Sequence, residues 1–492
     1  MMNKAKAPNG ASSTRPEWNT INWQIAQKQV RRLQIRIAKA SREGRHNKAK
    51  ALQWLLTHSF TAKLLAVKQV TQNTGGKTAG IDNVIWKTDK QKILAVQKLH
   101  RRGYVAQPLR RVYIPKKNSK QKERPLGIPT MKDRAMQALH LLALEPISEI
   151  QADGNSYGFR PKRSTADAIS HCFYALARRC APAWILEGDI KACFDRIEHS
   201  WLIAHIPMDK AILRKWLTAG YVEKGKLFPT MAGTPQGGII SPTLANMTLD
   251  GLEKAAKMYA TKKDKIHVIR YADDFIITGN SKELLENKIK PSIMAFLQMR
   301  GLQLSPEKTR ITHIENGFDF LGAHARKYKG KLLIKPAKGN IQTFLSNIKQ
   351  TIESNHGVKT EVLIRKLNAK IRGWANYHRH IVSKKTFSTV DNSIFWMLYK
   401  WLKRRHPNKN AAWRYKEYFR TEAGNRWIFH AKVHKESKIT FLDLFRASQV
   451  PIRRHLKIQA QATPYDPLFK DYFMQRDSKS ILCMNAQTSR VN

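Results

Sequence analysis

The sequence predicts an α+β protein whose centre alternates strands and helices and whose last third is helical. Three observations carry the prediction. Residues 267–270 and 275–278 are short β-prone runs on either side of Tyr271-Ala272-Asp273-Asp274, the pattern of a hairpin with an aspartate pair at its turn. Residues 184–188 are strand-like and run into 189–195, where the apolar spacing turns helical. Past Pro336 the chain becomes helical, aromatic and basic, which marks a boundary near residue 335. At about 150 residues per domain, 492 residues make about three domains with ample cores.

In chain order, residues 1–18 are polar, and Ala26, Val30, Leu33 and Ile37 then fall at helical spacing among Lys and Arg, one basic amphipathic helix. Residues 51–70 read as a second helical stretch. It ends in Thr74-Gly75-Gly76-Lys77-Thr78-Ala79-Gly80, a glycine-marked loop that either lies against a phosphate backbone or is a plain turn. Residues 111–115 and 124–129 are strand-like around a Lys-rich turn, a hairpin with basic residues near its tip. Residues 131–149, rich in Leu, Ala and Met, read as a helix stopped near Pro146. Gly233 to Gly238 is a flexible loop, and Ser241-Pro242 opens a helix that continues through Leu244, Met247 and Leu252.

The charge narrows the partner. Lys and Arg number 89 against 36 Asp and Glu, a net of +53, on a chain that is 42% hydrophobic, so a folded protein that holds a polyanion fits and a disordered basic tail does not. The excess is uneven. Residues 1–100 carry 19 basic against 4 acidic residues and residues 361–460 carry 23 against 6, whereas residues 185–284 carry 14 against 12. Basic flanks around a carboxylate-rich centre suit metal-ion chemistry on nucleic acid, although acidic residues also cluster on solvated faces. Cys172, Cys180, Cys193 and Cys483 form no CxxC pair, which argues against structural zinc and a disulfide framework. Neither a membrane span nor an apolar signal core is visible, and a soluble intracellular protein is expected.

Asp273 and Asp274 on one tight turn aim carboxylates at a common point, but turns favour Asp in any case. The third carboxylate, Asp189, ends another predicted strand. Phosphoryl transfer by two divalent ions about 4 Å apart requires carboxylates from separate elements, and an all-oxygen set favours Mg²⁺ over zinc.

These residues resemble a known family. Asp189-Ile190-Lys191-Ala192-Cys193-Phe194-Asp195, Gly233-Thr234-Pro235-Gln236-Gly237-Gly238 and Tyr271-Ala272-Asp273-Asp274 look, in order, like the first-aspartate, Gln-Gly and YADD motifs of reverse transcriptases. Residues 78–82, 124–130, 156–161, 318–322 and 372–378 narrow the resemblance to group II intron-encoded reverse transcriptases and maturases, over about residues 18–475. The resemblance implies a right-hand polymerase, with fingers and an antiparallel palm sheet, followed by an α-helical thumb and maturase domain. It implies that Asp189, Asp273 and Asp274, with the Ile190 carbonyl, hold two Mg²⁺ ions, Mn²⁺ being a substitute. Lys116 and Arg124 would cradle the triphosphate, Phe194 would stand against the ribose 2′-hydroxyl, and Lys308 would protonate the leaving group. Gln236, Gly237, Tyr271, Gly75, Gly76 and Lys77 would line the nascent pair, template and primer. For Lys308 a plain surface lysine, and for Phe194 a core aromatic, are the alternatives on the residues alone.

The same resemblance assigns Arg372, Trp374, Tyr377, His378, Arg379, Lys384, Arg404 and Arg405 to intron RNA, with many of the region's aromatics expected in a helical core. The implied organisation is a basic N-terminal extension (1–92), fingers and palm (93–335), helical thumb and maturase domain (336–405), a basic DNA- and RNA-binding segment (406–476) and a tail without an endonuclease (477–492). Implied partners are intron RNA, RNA template with DNA primer, dNTPs and target DNA, in a bacterial cytoplasmic ribonucleoprotein. A maturase that only binds RNA, and a domesticated reverse transcriptase of defence or repair, remain the alternative functions.

Overall fold

The computed structural model describes residues 17–115, 123–422, 424–435 and 438–478. Its strands are β1 (Leu109–Pro115), β2 (Glu123–Ile128), β3 (Trp184–Asp189), β4 (Tyr221–Glu223), β5 (Lys226–Phe228), β6 (Val268–Tyr271), β7 (Asp274–Gly279) and β8 (Arg310–His313), then β9 (Phe318–Phe320), β10 (Ala323–Tyr328), β11 (Lys331–Pro336), β12 (Phe419–Glu422), β13 (Asn425–Lys435) and β14 (Lys438–Asp443). They form four sheets, ordered β2-β1-β4-β5, β6-β7-β3-β8, β11-β10-β9 and β12-β13-β14.

The sheet β6-β7-β3-β8 is antiparallel throughout and buried on both faces. Alternation along its strands sends Leu186, Val268, Phe275 and Ile277 into a core shared with the N-terminal helices and the helix Met131–Gln151. Ile185, Ile269 and Ile276 face a second core closed by β9 to β11 and the C-terminal segment. Double burial is why 275–278 is a continuous apolar run. A third core lies among the helices Lys338–Glu353, Thr360–His378 and Lys384–Arg405, where Leu363, Leu367 and Ile371 recur every fourth residue.

Several local expectations change. The stretch 51–70 is two helices, His46–His58 and Phe60–Gln72, because Ser59 between them is extended. The helix expected to stop near Pro146 runs on to Gln151. Pro146 removes the N–H that would serve the Leu142 carbonyl, and the buried Gln34 amide donates to that carbonyl instead, at 2.9 Å. The helix opened by Ser241-Pro242 ends at Leu249; Gly251, at φ +95, turns the chain into a separate helix, Leu252–Lys257. Residues 74–77, expected as a loop, are one 3₁₀ turn. The region after residue 405 carries the sheet β12 to β14 as well as helix.

The C-terminal segment returns to the sheet β6-β7-β3-β8, where Ile458, Ala462 and Phe473 join its second core. Asp167, fully buried, accepts from the Ile458 N–H at 2.8 Å and Arg476 at 2.6 Å, and lies 2.9 Å from His455 Nε2. Tyr465 is buried beneath the Arg31 guanidinium, its hydroxyl donates to Glu145, and Asp466 pairs with Arg42 at 2.9 Å. Among the described residues no helix is long and apolar enough to cross a membrane.

Candidate active site

Strand register brings the carboxylates together. Asp189, the last residue of β3, lies opposite Asp274, the first of β7. Tyr271 pairs with Asp274 across the β6–β7 hairpin, so Ala272 and Asp273 make the turn. Such a connection calls for left-handed backbone, which Ala272 adopts at φ +57, at a cost of about 1–2 kcal/mol for a residue with a Cβ.

A buried network holds this turn. Arg270, 1% exposed, donates to Asp250 at 2.5 Å, to Asn246 at 3.2 Å and to the Ala272 carbonyl at 3.5 Å. Its own carbonyl accepts from the Tyr157 N–H at 2.9 Å. Asn246 donates to the Gly158 carbonyl at 2.7 Å, and a Cβ on Gly158 would stand 2.4 Å from the Ala272 nitrogen. Gly188 has the same role within the sheet, since a Cβ there would meet the Phe275 ring at 2.2 Å. The sequence reading gave Arg270 no role, and it quoted Gly158 only as part of the motif 156–161, without its packing role. The signal for Arg270 is a charge at the end of an apolar strand.

The electrostatics are those of a cluster short of positive charge. Burial, then the Asp189 charge, push the Asp273 carboxyl up, while its backbone hydrogen bond, Arg124 and Lys308 pull it down. Asp274 opens to solvent on one side, yet burial on the others, then Asp273 and Asp189, push it up to about 6. The Lys308 ammonium donates to both Asp189 oxygens at 3.0 Å. Mutually repelling carboxylates that already take up a cation are the donor set a hard divalent ion requires, so the residues fit Mg²⁺ or Mn²⁺. As the side chains stand, with the Lys308 ammonium on Asp189, no three His, Cys, Asp or Glu among the described residues are grouped closely enough to hold a metal ion by themselves. Ile190, whose carbonyl was the expected extra ligand, has a buried side chain and bridges to Leu304.

The sheet β2-β1-β4-β5 meets the Gln-Gly loop. The Gly127 N–H of β2 donates to the Gln236 carbonyl at 2.7 Å. Gly237, at φ +115, lets the loop approach so closely that a Cβ would stand 2.6 Å from the Gly127 carbonyl. The Gln236 amide donates to Asp195 at 3.2 Å. Phe194 is half-buried, edge-on to the exposed Phe159 ring at 6.4 Å. Lys116 lies outside the described residues.

Other expected residues are placed differently. Gly76 is buried against the preceding helix, where a Cβ would stand 2.7 Å from the Thr71 carbonyl, and the Gly75 carbonyl accepts from Arg134 at 2.8 Å. Lys77 alone of that trio is exposed. In the helical region His378, expected to face RNA, is buried with Nε2 3.0 Å from Asn340. Trp374 stacks on Phe344 at 4.6 Å and donates to the same Asn340, so both rings serve the core because they lie on its side of the helix Thr360–His378. Tyr377 is exposed but donates to the Leu321 carbonyl. Arg372 lies over Phe445, Arg379 reaches Asn376, Lys384 donates to the Ser448 carbonyl, and Arg405 donates to the Val358 carbonyl at 2.8 Å. Arg404 is exposed.

The family model for reverse transcriptase (RNA-dependent DNA polymerase) matches residues 114–325, the stretch that holds the palm sheet and its carboxylates, and the fold is that of a reverse transcriptase. The N-terminal domain of reverse transcriptase matches 18–99, and the group II intron maturase-specific domain matches 341–419. The chain is 30% identical over 392 residues to the group II intron-encoded protein LtrA of Lactococcus lactis subsp. cremoris, covering 65% of each, so it spans just under two thirds of that relative's length. It is 32% identical over 301 residues to the protein YkfC of Escherichia coli K12, covering 52% of this chain and 78% of YkfC. The solved structure of telomerase from Candida albicans with a telomeric RNA fragment matches loosely, with a TM-score of 0.37 and 13% identity over 64% of each chain. With matches running from its N-terminal helices through the maturase-specific domain, the chain belongs to the group II intron-encoded reverse transcriptase and maturase family.

Proposed function

We propose that this chain is an RNA-directed DNA polymerase of a group II intron that also binds the intron RNA and assists its splicing and retromobility. The observation that carries the reading is the register that sets Asp189 opposite Asp274 with Asp273 in the adjoining turn. Asp189, Asp273 and Asp274, with the Ile190 carbonyl, would hold two Mg²⁺ ions, or Mn²⁺ in their place, which supply charge to lower the pKa of a 3′-hydroxyl and to offset a triphosphate. Arg124, whose charge already acts on Asp273, neutralises the triphosphate, together with Lys116. Phe194 excludes the ribose 2′-hydroxyl, and Gln236, Gly237 and Tyr271 line the nascent pair. Lys308 delivers a proton to the leaving pyrophosphate. Residues 93–335 are read as fingers and palm, 336–405 as thumb and maturase domain, and the flanks 1–92 and 406–476 as the basic surfaces that grip RNA and target DNA in a bacterial ribonucleoprotein.

Primer extension on an RNA template with dNTPs and Mg²⁺ tests the polymerase, and the doubly substituted Asp273→Ala, Asp274→Ala protein is expected to yield no product. Extension at the wild-type rate by that protein removes the site assignment. For the maturase, sequencing the RNA that co-purifies should return one structured intron, and bulk cellular RNA would count against it.

A further inference from the structure

A concavity of about 530 Å³ opens between the helix His46–His58, the helix Met131–Gln151 and residues 207–211, which lead into the helix Lys210–Leu217, and shares no residue with the carboxylate cluster. The volume falls in the range of sites that take a small ligand or a single nucleotide, roughly 300–1,000 Å³. Its floor is apolar, built from Met136, Leu139, Ala143, Ile147 and Met208. Its rim is basic. Lys50, Lys63, His100, Arg101 and Lys210 line it against one carboxylate, Asp209, which is already engaged by Arg101 and by the helix N–H groups of Ala211 and Ile212.

Trp54 stands at the mouth. It is 61% exposed, with the His58 ring stacked on it at 4.2 Å and 25°. An indole stacked on a neighbouring ring, in a cavity with an apolar floor that Lys50 and Lys63 also line, offers a stacking surface and phosphate contacts in one place. An apolar peptide would leave the cationic rim unanswered, and a lone phosphate would leave the floor unused. Burial also holds the Lys63 amine below its usual range, so an incoming phosphate would meet a partly desolvated cation, against which it is screened less.

We propose that this cavity receives one unpaired nucleotide of an RNA, its base against Trp54 over the apolar floor and its flanking phosphates against Lys50 and Lys63. The proposal rests on the reading of the chain as RNA-binding and needs no polymerase chemistry.

The test uses the full-length protein and a fluorescent single-stranded 12-mer oligoadenylate, with excess unlabelled RNA–DNA primer–template occupying the polymerase cleft. Ultraviolet cross-links of the 12-mer are expected in the peptide that contains Trp54 and His58. Trp54→Ala should weaken 12-mer binding at least about fivefold, the lower bound for losing one base–aromatic stack, whereas Trp54→Phe should retain most of the affinity. Lys50→Gln with Lys63→Gln should flatten the slope of log affinity against log salt by about 1.4, two phosphates' worth on a single strand. All three proteins should extend a preannealed primer at the wild-type rate, which shows that they are folded and separates this site from the polymerase. A wild type that cross-links at Trp54 but extends no primer would leave this proposal standing and remove the polymerase reading. Affinity of Trp54→Ala within twofold of wild type, or cross-links confined to other surfaces, overturns it.

Discussion

Replacing Gly158 by Ala tests how the catalytic turn is held. The new methyl group would stand 2.4 Å from the Ala272 nitrogen and 2.9 Å from the Tyr271 carbonyl carbon, both backbone atoms that no rotamer change can move aside. Ordinary contact begins near 3.4 Å, so one of the two segments must give by about 1 Å. The segment around Gly158 is the stiffer: its carbonyl is held by Asn246, the Tyr157 N–H by the Arg270 carbonyl, and Arg160 by a buried ion pair with Glu149 at 2.7 Å. The displacement therefore falls on the turn that carries Asp273 and Asp274. Overpacking of this kind costs about 1–3 kcal/mol of stability, and a misplacement of about 1 Å costs about 100-fold in rate. Single-turnover primer extension at saturating dNTP measures the rate, and thermal unfolding checks the fold. Gly339→Ala is the control, since a Cβ there meets nothing within 4 Å. Extension by Gly158→Ala within threefold of wild type, with an unchanged melting midpoint, would refute the reasoning.

Three further outcomes follow from other sites. Asp167 sits at about 2: burial alone would raise it, but His455, Arg476 and the Ile458 N–H overcome burial. The ionised form is thus favoured by folding, and its contribution is full above about pH 4 and lost as pH falls through 2. Asp167→Asn should therefore destabilise the protein by about 2 kcal/mol at pH 7, with a penalty that shrinks towards pH 2 in denaturant titrations. Gly373→Ala, on the exposed face of the helix Thr360–His378 with open space around it, should stabilise that helix by up to about 1 kcal/mol, visible as a higher melting midpoint. Phe194→Ala should raise ribonucleotide incorporation relative to deoxynucleotide at least about tenfold, and an unchanged ratio would return Phe194 to a packing role with Phe159.

The carboxylates were legible because their constraint is local. A β-prone run, a two-residue turn and an aspartate at the end of another strand are short patterns, and period-two alternation settles which residues share a face. Pro146 was misread because its cost depends on a partner 112 residues away: Gln34 makes good the lost hydrogen bond, and no window around the proline contains it. The surroundings of Trp374 and His378 were not legible for a related reason. Composition marks aromatic and basic residues as suited to RNA, but their position on the core side of the helix Thr360–His378, bonded to Asn340, is decided by helix packing.

The sequence alone therefore determined the α+β class, the order of the motifs, the three carboxylates and the basic flanks, since each is written in residue type and short spacing. Tertiary structure decided how the turn with Ala272 at φ +57 is held, through Arg270, Asp250, Asn246 and Gly158. It also decided that the C-terminal segment closes over Asp167, and that an exposed tryptophan stands at the mouth of a basic-rimmed cavity. Those features join residues far apart in the chain, and only packing, which satisfies buried charge and excludes misfitting atoms, brings them together.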